Sequence, residues 1–289
     1  MECELWPQLY RIVLRAGRKM PKARGRYGDA LILLVLLWSC LHDRPVSWGC
    51  EPRNWISTHA RPAQLPSDST VSRRLCSTRI LTLMQIIAAD LRGTALPSLW
   101  KIIDGKCLII GSCSKDPDAR AGHAIRGQAL GYKLHVIYGE RLMPEAWDVR
   151  PLNVNEKAVA HDLVNELEGG GYLLGDGQYD SSPLHDDCRR HNHQLFTPRS
   201  SRPSPEGYGH RYLSPHRVHG IEMLERQFGQ ALLAHRQAIE RYFGHATIFG
   251  GGLAPLPAWV RRQHRVQRWL WAKLLINAVR ILLRKRLTP

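Results

Sequence analysis

The chain has 289 residues, enough for a substantial core and about two domains. Its net charge of +16 is unevenly spread: residues 1–100 hold 14 Lys and Arg against 7 Asp and Glu (+7), residues 101–198 hold 11 against 14 (−3), and residues 199–289 hold 16 against 4 (+12). Seven cysteines without a Cys-x-x-Cys pair argue against a disulfide scaffold, and the apolar run 30–40 is too short for a membrane span of roughly 20 residues.

Residues 1–95 read as a helical N-terminal region. Residues 5–15 and 27–41 carry dense apolar spacing, and the run 30–40 reads as a buried helix. Glu2 and Glu4 are unlike the cationic start of a leader peptide, so a cytoplasmic protein is expected. Residues 49–66 are loop-rich. Ser67 or Asp68 can cap a helix with Val71 and Leu75 on one face. That helix is expected to continue through 81–91 and to present Arg73, Arg74 and Arg79 outward. It suits the recognition helix of a helix-turn-helix and equally an ordinary amphipathic helix with a basic face.

Residues 96–289 change character. Strands are expected at 100–104, 107–113, 131–138, 171–175 and 194–197, with helices at 155–167 and 183–191. Three strands, helix, strand, helix, strand is the order of an α/β, ribonuclease-H-like mixed sheet flanked by helices. In that fold the first and fourth strands lie side by side. Asp104 and Asp176, read as strand-end residues, then become neighbours across 72 positions. Residues 199–219 read as a loop insertion, 221–244 as helical, 249–257 as a break, and 259–287 as a basic, tryptophan-bearing C-terminal helix.

A buried carboxylate at a strand end is costly without a partner or cation. Two such aspartates with a helix-borne Glu240 are the parts of a two-metal phosphoryl-transfer site. Glu225 is the rival to Glu240, because Glu-Arg-Gln-Phe-Gly (225–229) nearly repeats Glu-Arg-Tyr-Phe-Gly (240–244). Glu240 is preferred because Arg236 precedes it by four positions. Asp116 and Asp118 read as a turn. Asp180 reads as the cap of the helix beginning near Pro183. His210, His216 and His219 lack the spacing of a zinc site. The acidic middle suits divalent cations and the basic flanks suit a polyanion.

The ordered blocks Ile-Ile-Asp-Gly-Lys (102–106), Ser-Lys-Asp-Pro-Asp-Ala-Arg (114–120), Gly-Tyr-Lys-Leu-His (131–135), Gly-Asp-Gly-Gln-Tyr-Asp (175–180) and Arg-Gln-Ala-Ile-Glu-Arg-Tyr-Phe-Gly (236–244) resemble DDE transposases of bacterial insertion sequences. The resemblance spans roughly residues 65–285. It implies a ribonuclease-H-like core, with Mg²⁺ or Mn²⁺ held by Asp104, Asp176 and Glu240. It implies cleavage of transposon-end DNA, strand transfer into target DNA, and a homodimer during synapsis. It further implies a bacterial cytoplasmic protein, on the nucleoid when DNA-bound. Arg73, Arg74, Lys115, Arg120, Lys133, Arg236 and Arg241 are the expected DNA contacts. Related transposases often carry a tyrosine three residues before the arginine and a lysine seven after the glutamate; here these are Leu233 and Thr247. That departure keeps a second reading open: a non-catalytic DNA-binding protein derived from a transposable element.

Overall fold

A computed structural model describes residues 2–22, 25–55, 60–93, 97–111, 113–124, 127–199, 213–247, 253 and 256–287. The chain opens with α1 (Glu2–Gly17), α2 (Asp29–Leu41), α3 (Val46–Gly49), α4 (Asp68–Leu75) and α5 (Thr78–Arg92). Next come β1 (Trp100–Ile109), β2 (Arg120–Ala124), β3 (Gly127–Tyr138), β4 (Ala146–Pro151), α6 (Glu156–Val164), β5 (Gly171–Leu174), α7 (Ser182–Arg190) and β6 (His193–Phe196). The chain continues through α8 (Pro215–Glu225), α9 (Gln227–Ala234), α10 (Gln237–Thr247) and α11 (Gln263–Leu287). Two compact units result: Met1–Thr94 with Ala246–Pro289, and Ala95–His245.

The first unit is helical. α2 is the buried helix that its apolar run predicts, with Ile32 through Leu41 all buried. Trp6, Trp38 and Trp55 are buried together, with the Trp38 and Trp55 rings stacked at 4.9 Å. α4 and α5 are two helices rather than one. Ser77 accepts from the Ile80 amide and starts α5 afresh, so the chain breaks at Cys76. α11, expected with the catalytic domain, packs on α1 and α2. Residues 269–280 are buried on every side of that helix, which marks a core helix.

The second unit is a mixed α/β fold around a six-stranded sheet, ordered β2-β3-β1-β5-β6, with β4 also on β3. β1–β3, β2–β3 and β3–β4 are antiparallel; β1–β5 and β5–β6 are parallel. The two strands expected at 100–104 and 107–113 are one strand, β1. Gly105 is therefore no turn. It pairs with His135 in the ladder, and a Cβ there would stand 2.9 Å from the Lys133 stem. β2 and β4 escape the sequence pattern. β4 holds Asp148 and Arg150, an ion pair at 2.6 Å, on an edge where charge is tolerated.

Alternation along the strands sorts the two faces. Ile103, Ile137, Leu173 and Leu195 share one face and form a core with Val159 and Leu163 of α6 and Leu184 and Cys188 of α7. The other face carries Trp100, Ile102, Asp104 and Lys106 of β1, with Tyr138 opposite Ile102 and Tyr172 opposite Trp100. There Tyr172 meets Phe228, Trp100 stacks on His235 at 4.8 Å, and Tyr138 stacks on Tyr242 at 4.5 Å. α9 and α10 thus roof the face that bears Asp104. The helical stretch expected over 221–244 is broken at Arg226 and at His235–Arg236. α8 begins at Pro215, inside the expected loop, because Ser214 caps it and Pro215 suits its first turn. Residues 200–212 lie outside the described residues.

Candidate active site

Asp104 lies mid-strand in β1, at the level where its neighbour β5 has ended. The register pairs Ile102 with Leu174. Two residues further along each chain come Asp104 and Asp176, so the parallel pairing itself brings the carboxylates together. Asp104 Oδ1 accepts from the Gly105 amide at 2.7 Å. Asp176 caps the short 3-10 turn Gly177–Tyr179, its Oδ1 accepting from Gln178 N at 2.8 Å. The Asp104 carboxyl has a raised pKa. Burial is the main cause and the Asp176 and Glu156 charges add to it, while the Gly105 amide and the Arg236 guanidinium oppose it.

Arg236 stands in the turn before α10. Glu240 follows on α10, four positions on, and is exposed. α10 itself is fixed over the sheet by buried Ile239, Tyr242 and Phe243. Lys106, two residues after Asp104 and on its face, places its ammonium 5.7 Å from the Phe243 ring centre. Lys106 is not among the residues expected at the site because it falls between the strands expected at 100–104 and 107–113; the continuous strand puts both side chains on one side. Tyr179 was also missed. It is fully buried, and its hydroxyl pKa is pushed well up by burial and then by the charges of Glu156, Asp104 and Asp176.

The other expected residues divide. Arg73, Lys115, Arg120 and Arg241 are exposed. Arg120 also bonds the carbonyls of Pro117 (2.6 Å) and Ala119 (2.9 Å), bracing the turn in which Asp116 accepts from the Tyr132 hydroxyl. Arg74 does not point outward as expected. Its guanidinium meets buried Asp29 at 2.5 Å and the Tyr27 carbonyl, and Arg79 joins the same carboxylate. Lys133 lies on the face opposite Asp104, in an ion pair with Glu156 at the start of α6. Asp180 does not cap α7, where Ser181 holds the cap position. It pairs with Arg217 instead. In α11, Lys273 and Arg280 are buried rather than turned to solvent.

Among the described residues, no three His, Cys, Asp or Glu side chains close on a common point as a metal cluster would. The neighbouring donors that the β1–β5 register provides, Asp104 and Asp176, are hard carboxylate oxygens. They fit Mg²⁺ or Mn²⁺, which keep several waters and need one or two protein carboxylates. Two carboxylates side by side, one raised in pKa partly by the other, are also a place where positive charge is stabilised.

A mixed sheet flanked by helices, with Asp104 and Asp176 near its parallel step, thus carries the candidate site. The family model of the transposase DDE domain matches residues 101–277, and the chain belongs to that family. Among solved structures, the piggyBac transposase synaptic complex with hairpin DNA is similar at 13% identity and a TM-score of 0.33, covering 96% of this chain and 77% of that one. No curated protein matches. Among the described residues, no helix is long and apolar enough to cross a membrane.

Proposed function

We propose that this transposase cleaves transposon-end DNA and joins the freed end to target DNA, with Asp104, Asp176 and Glu240 as its metal-holding acids. One observation supports the reading: the β1–β5 register sets Asp104 and Asp176 near one another where β5 ends, and the helix that bears Glu240 roofs the sheet face of Asp104. Bound divalent cations would supply Lewis acidity to the scissile phosphate and acidify the attacking water. Asp104 and Asp176 hold the ligand oxygens on rigid backbone. Glu240 approaches from α10. Arg236 offers a guanidinium to a phosphate oxygen beside Asp104, and Lys106 adds a second cation on that face. In cleavage, a water oxygen bonds to phosphorus and the 3′-oxygen leaves. In joining, that 3′-hydroxyl attacks a target phosphodiester and displaces its 3′-oxygen.

Arg73, Lys115, Arg120 and Arg241 are exposed enough to contact DNA phosphates directly. Arg74 and Lys133 reach DNA only by leaving their carboxylates. Pairing of two DNA ends by a homodimer belongs to the same reading. The test uses donor DNA carrying the flanks of the gene. Purified protein cuts it only with Mg²⁺ or Mn²⁺, and Asp104→Asn, Asp176→Asn and Glu240→Gln each lower cutting by at least about a thousandfold with DNA affinity kept. Normal cutting by Asp176→Asn sinks the assignment. Leu233 and Thr247 favour the second reading, a DNA-binding protein without chemistry; salt-sensitive binding with no cutting by the unmodified chain establishes that one instead.

A further inference from the structure

The turn that carries Asp176 is pinned from behind. Only seven residues separate the end of β5 at Leu174 from the start of α7 at Ser182. Within them the Tyr179 ring is sunk in the core, and the next residue, Asp180, has a fully buried side chain. Arg217 grips that carboxylate with both arms of its fork, Nε to Oδ1 at 2.6 Å and Nη2 to Oδ2 at 2.7 Å. Lys157 of α6 donates to the Asp180 carbonyl at 2.8 Å, and His185 Nε2 stands 3.7 Å from Oδ1. Arg217 is itself held. It lies in the first turn of α8, where Ser214 Oγ accepts from the His216 and Arg217 amides, and Ser214 N donates to Ser182 Oγ at 3.2 Å.

We propose that Arg217 is a positioning residue for Asp176, acting through the buried carboxylate of Asp180; the proposal rests on the DNA-cleaving reading above. Stability alone is a poor reason for such a pair. Removing two charges from water offsets most of their attraction, and an apolar pair of similar volume is often as stable or more so. An apolar pair lacks direction. The planar fork sets the orientation of Asp180, and hence of the three-residue turn whose Gln178 N–H donates to Asp176. A reacting group misplaced by about 1 Å costs about a hundredfold in rate. The same pair ties the Asp176 turn to α8, which leads through α9 to Arg236 and Glu240.

The experiment compares the full chain with Asp180→Leu/Arg217→Met, a double change that removes both charges and keeps volume, and with Arg217→Lys, which keeps charge and loses the fork. Thermal unfolding, KM and turnover on donor DNA, and Mn²⁺ binding followed by the free-ion magnetic resonance signal are read on each. The expected double variant melts near the unmodified protein and keeps its KM. Its turnover falls at least about tenfold and its Mn²⁺ affinity weakens; Arg217→Lys lies between. Unmodified turnover and Mn²⁺ affinity in a folded double variant overturn the proposal. Should the double variant not fold, Arg217→Lys decides: reduced turnover at unchanged KM supports the role, and full turnover removes it. A chain that never cuts DNA in its unmodified form defeats the functional reading itself, an outcome separate from either of these.

Discussion

His135 shows how one buried ring ties stability to pH. It sits on β3, 1% exposed, opposite Gly105 on the α6 face of the sheet, and neither ring nitrogen has a hydrogen-bond partner among the described residues. Burial, then the nearby Lys133 and Arg150 charges, lowers its pKa to about 3. The folded chain therefore keeps the ring neutral while the unfolded chain binds a proton near 6.5. This contribution is whole above pH 6.5 and is lost as pH falls from 6.5 toward 3. Between pH 7.5 and 5.5, denaturant titrations of His135→Leu are expected to lose about 1.4 kcal/mol less than the unmodified chain. Asp29 is a second single-residue test. It is buried and shared by Arg74 and Arg79. Asp29→Asn leaves both cations short of a charge partner, and a stability loss of about 2–3 kcal/mol is expected in urea unfolding. The sequence could pair Asp104 with Asp176 because strand order alone does so. It could not reveal the tie of Arg74 to Asp29, because the partners are 45 residues apart in a helical unit with no repeating register.

At the scale of elements, the sheet was legible where hydrophobic alternation is strong and lost where it is not. β3, β5 and β6 stand close to their expected places. β1 reads as two strands in sequence because Asp104, Gly105 and Lys106 interrupt its apolar run, although the ladder continues through them. β4 was missed because its charged residues mask the alternation of an edge strand. The α8–α10 region was legible as helical but not as three pieces, since its breaks at Arg226 and His235–Arg236 contain neither glycine nor proline. The break matters for the site. It allows α10 to lie across the sheet with Tyr242 on Tyr138, independent of the direction of α9. Tyr242 is buried, and its hydroxyl has no hydrogen-bond partner among the described residues. Tyr242→Phe is therefore expected to keep stability and donor cutting within about twofold, because the stack persists. Tyr242→Ala is expected to cost about 3–5 kcal/mol in denaturant unfolding and to lower cutting by loosening the mount of Glu240.

For the whole molecule, the charge layout read from the sequence separates an acidic middle from basic flanks, and the fold adds where some of that charge is spent. Part of the C-terminal positive charge lies inside the helical unit. Lys273 donates to the Cys40 carbonyl at 2.6 Å and to Asp43 at 2.5 Å, and burial lowers its pKa. Composition cannot tell such a residue from one that contacts phosphate. The role of α11 follows from its burial: deleting residues 263–289 should abolish cooperative melting of α1 and α2, read as lost hydrogen-exchange protection in both helices. Helices from the two extremes of the chain share one core, and the sheet unit is spliced between them. As the polypeptide leaves the ribosome, the faces of α1 and α2 that pack on α11 must wait uncovered through the synthesis of the entire sheet before their partner helix arrives. The acid-bearing unit has all its strands first, so in this chain the helical unit, though synthesised first, is the later one to close.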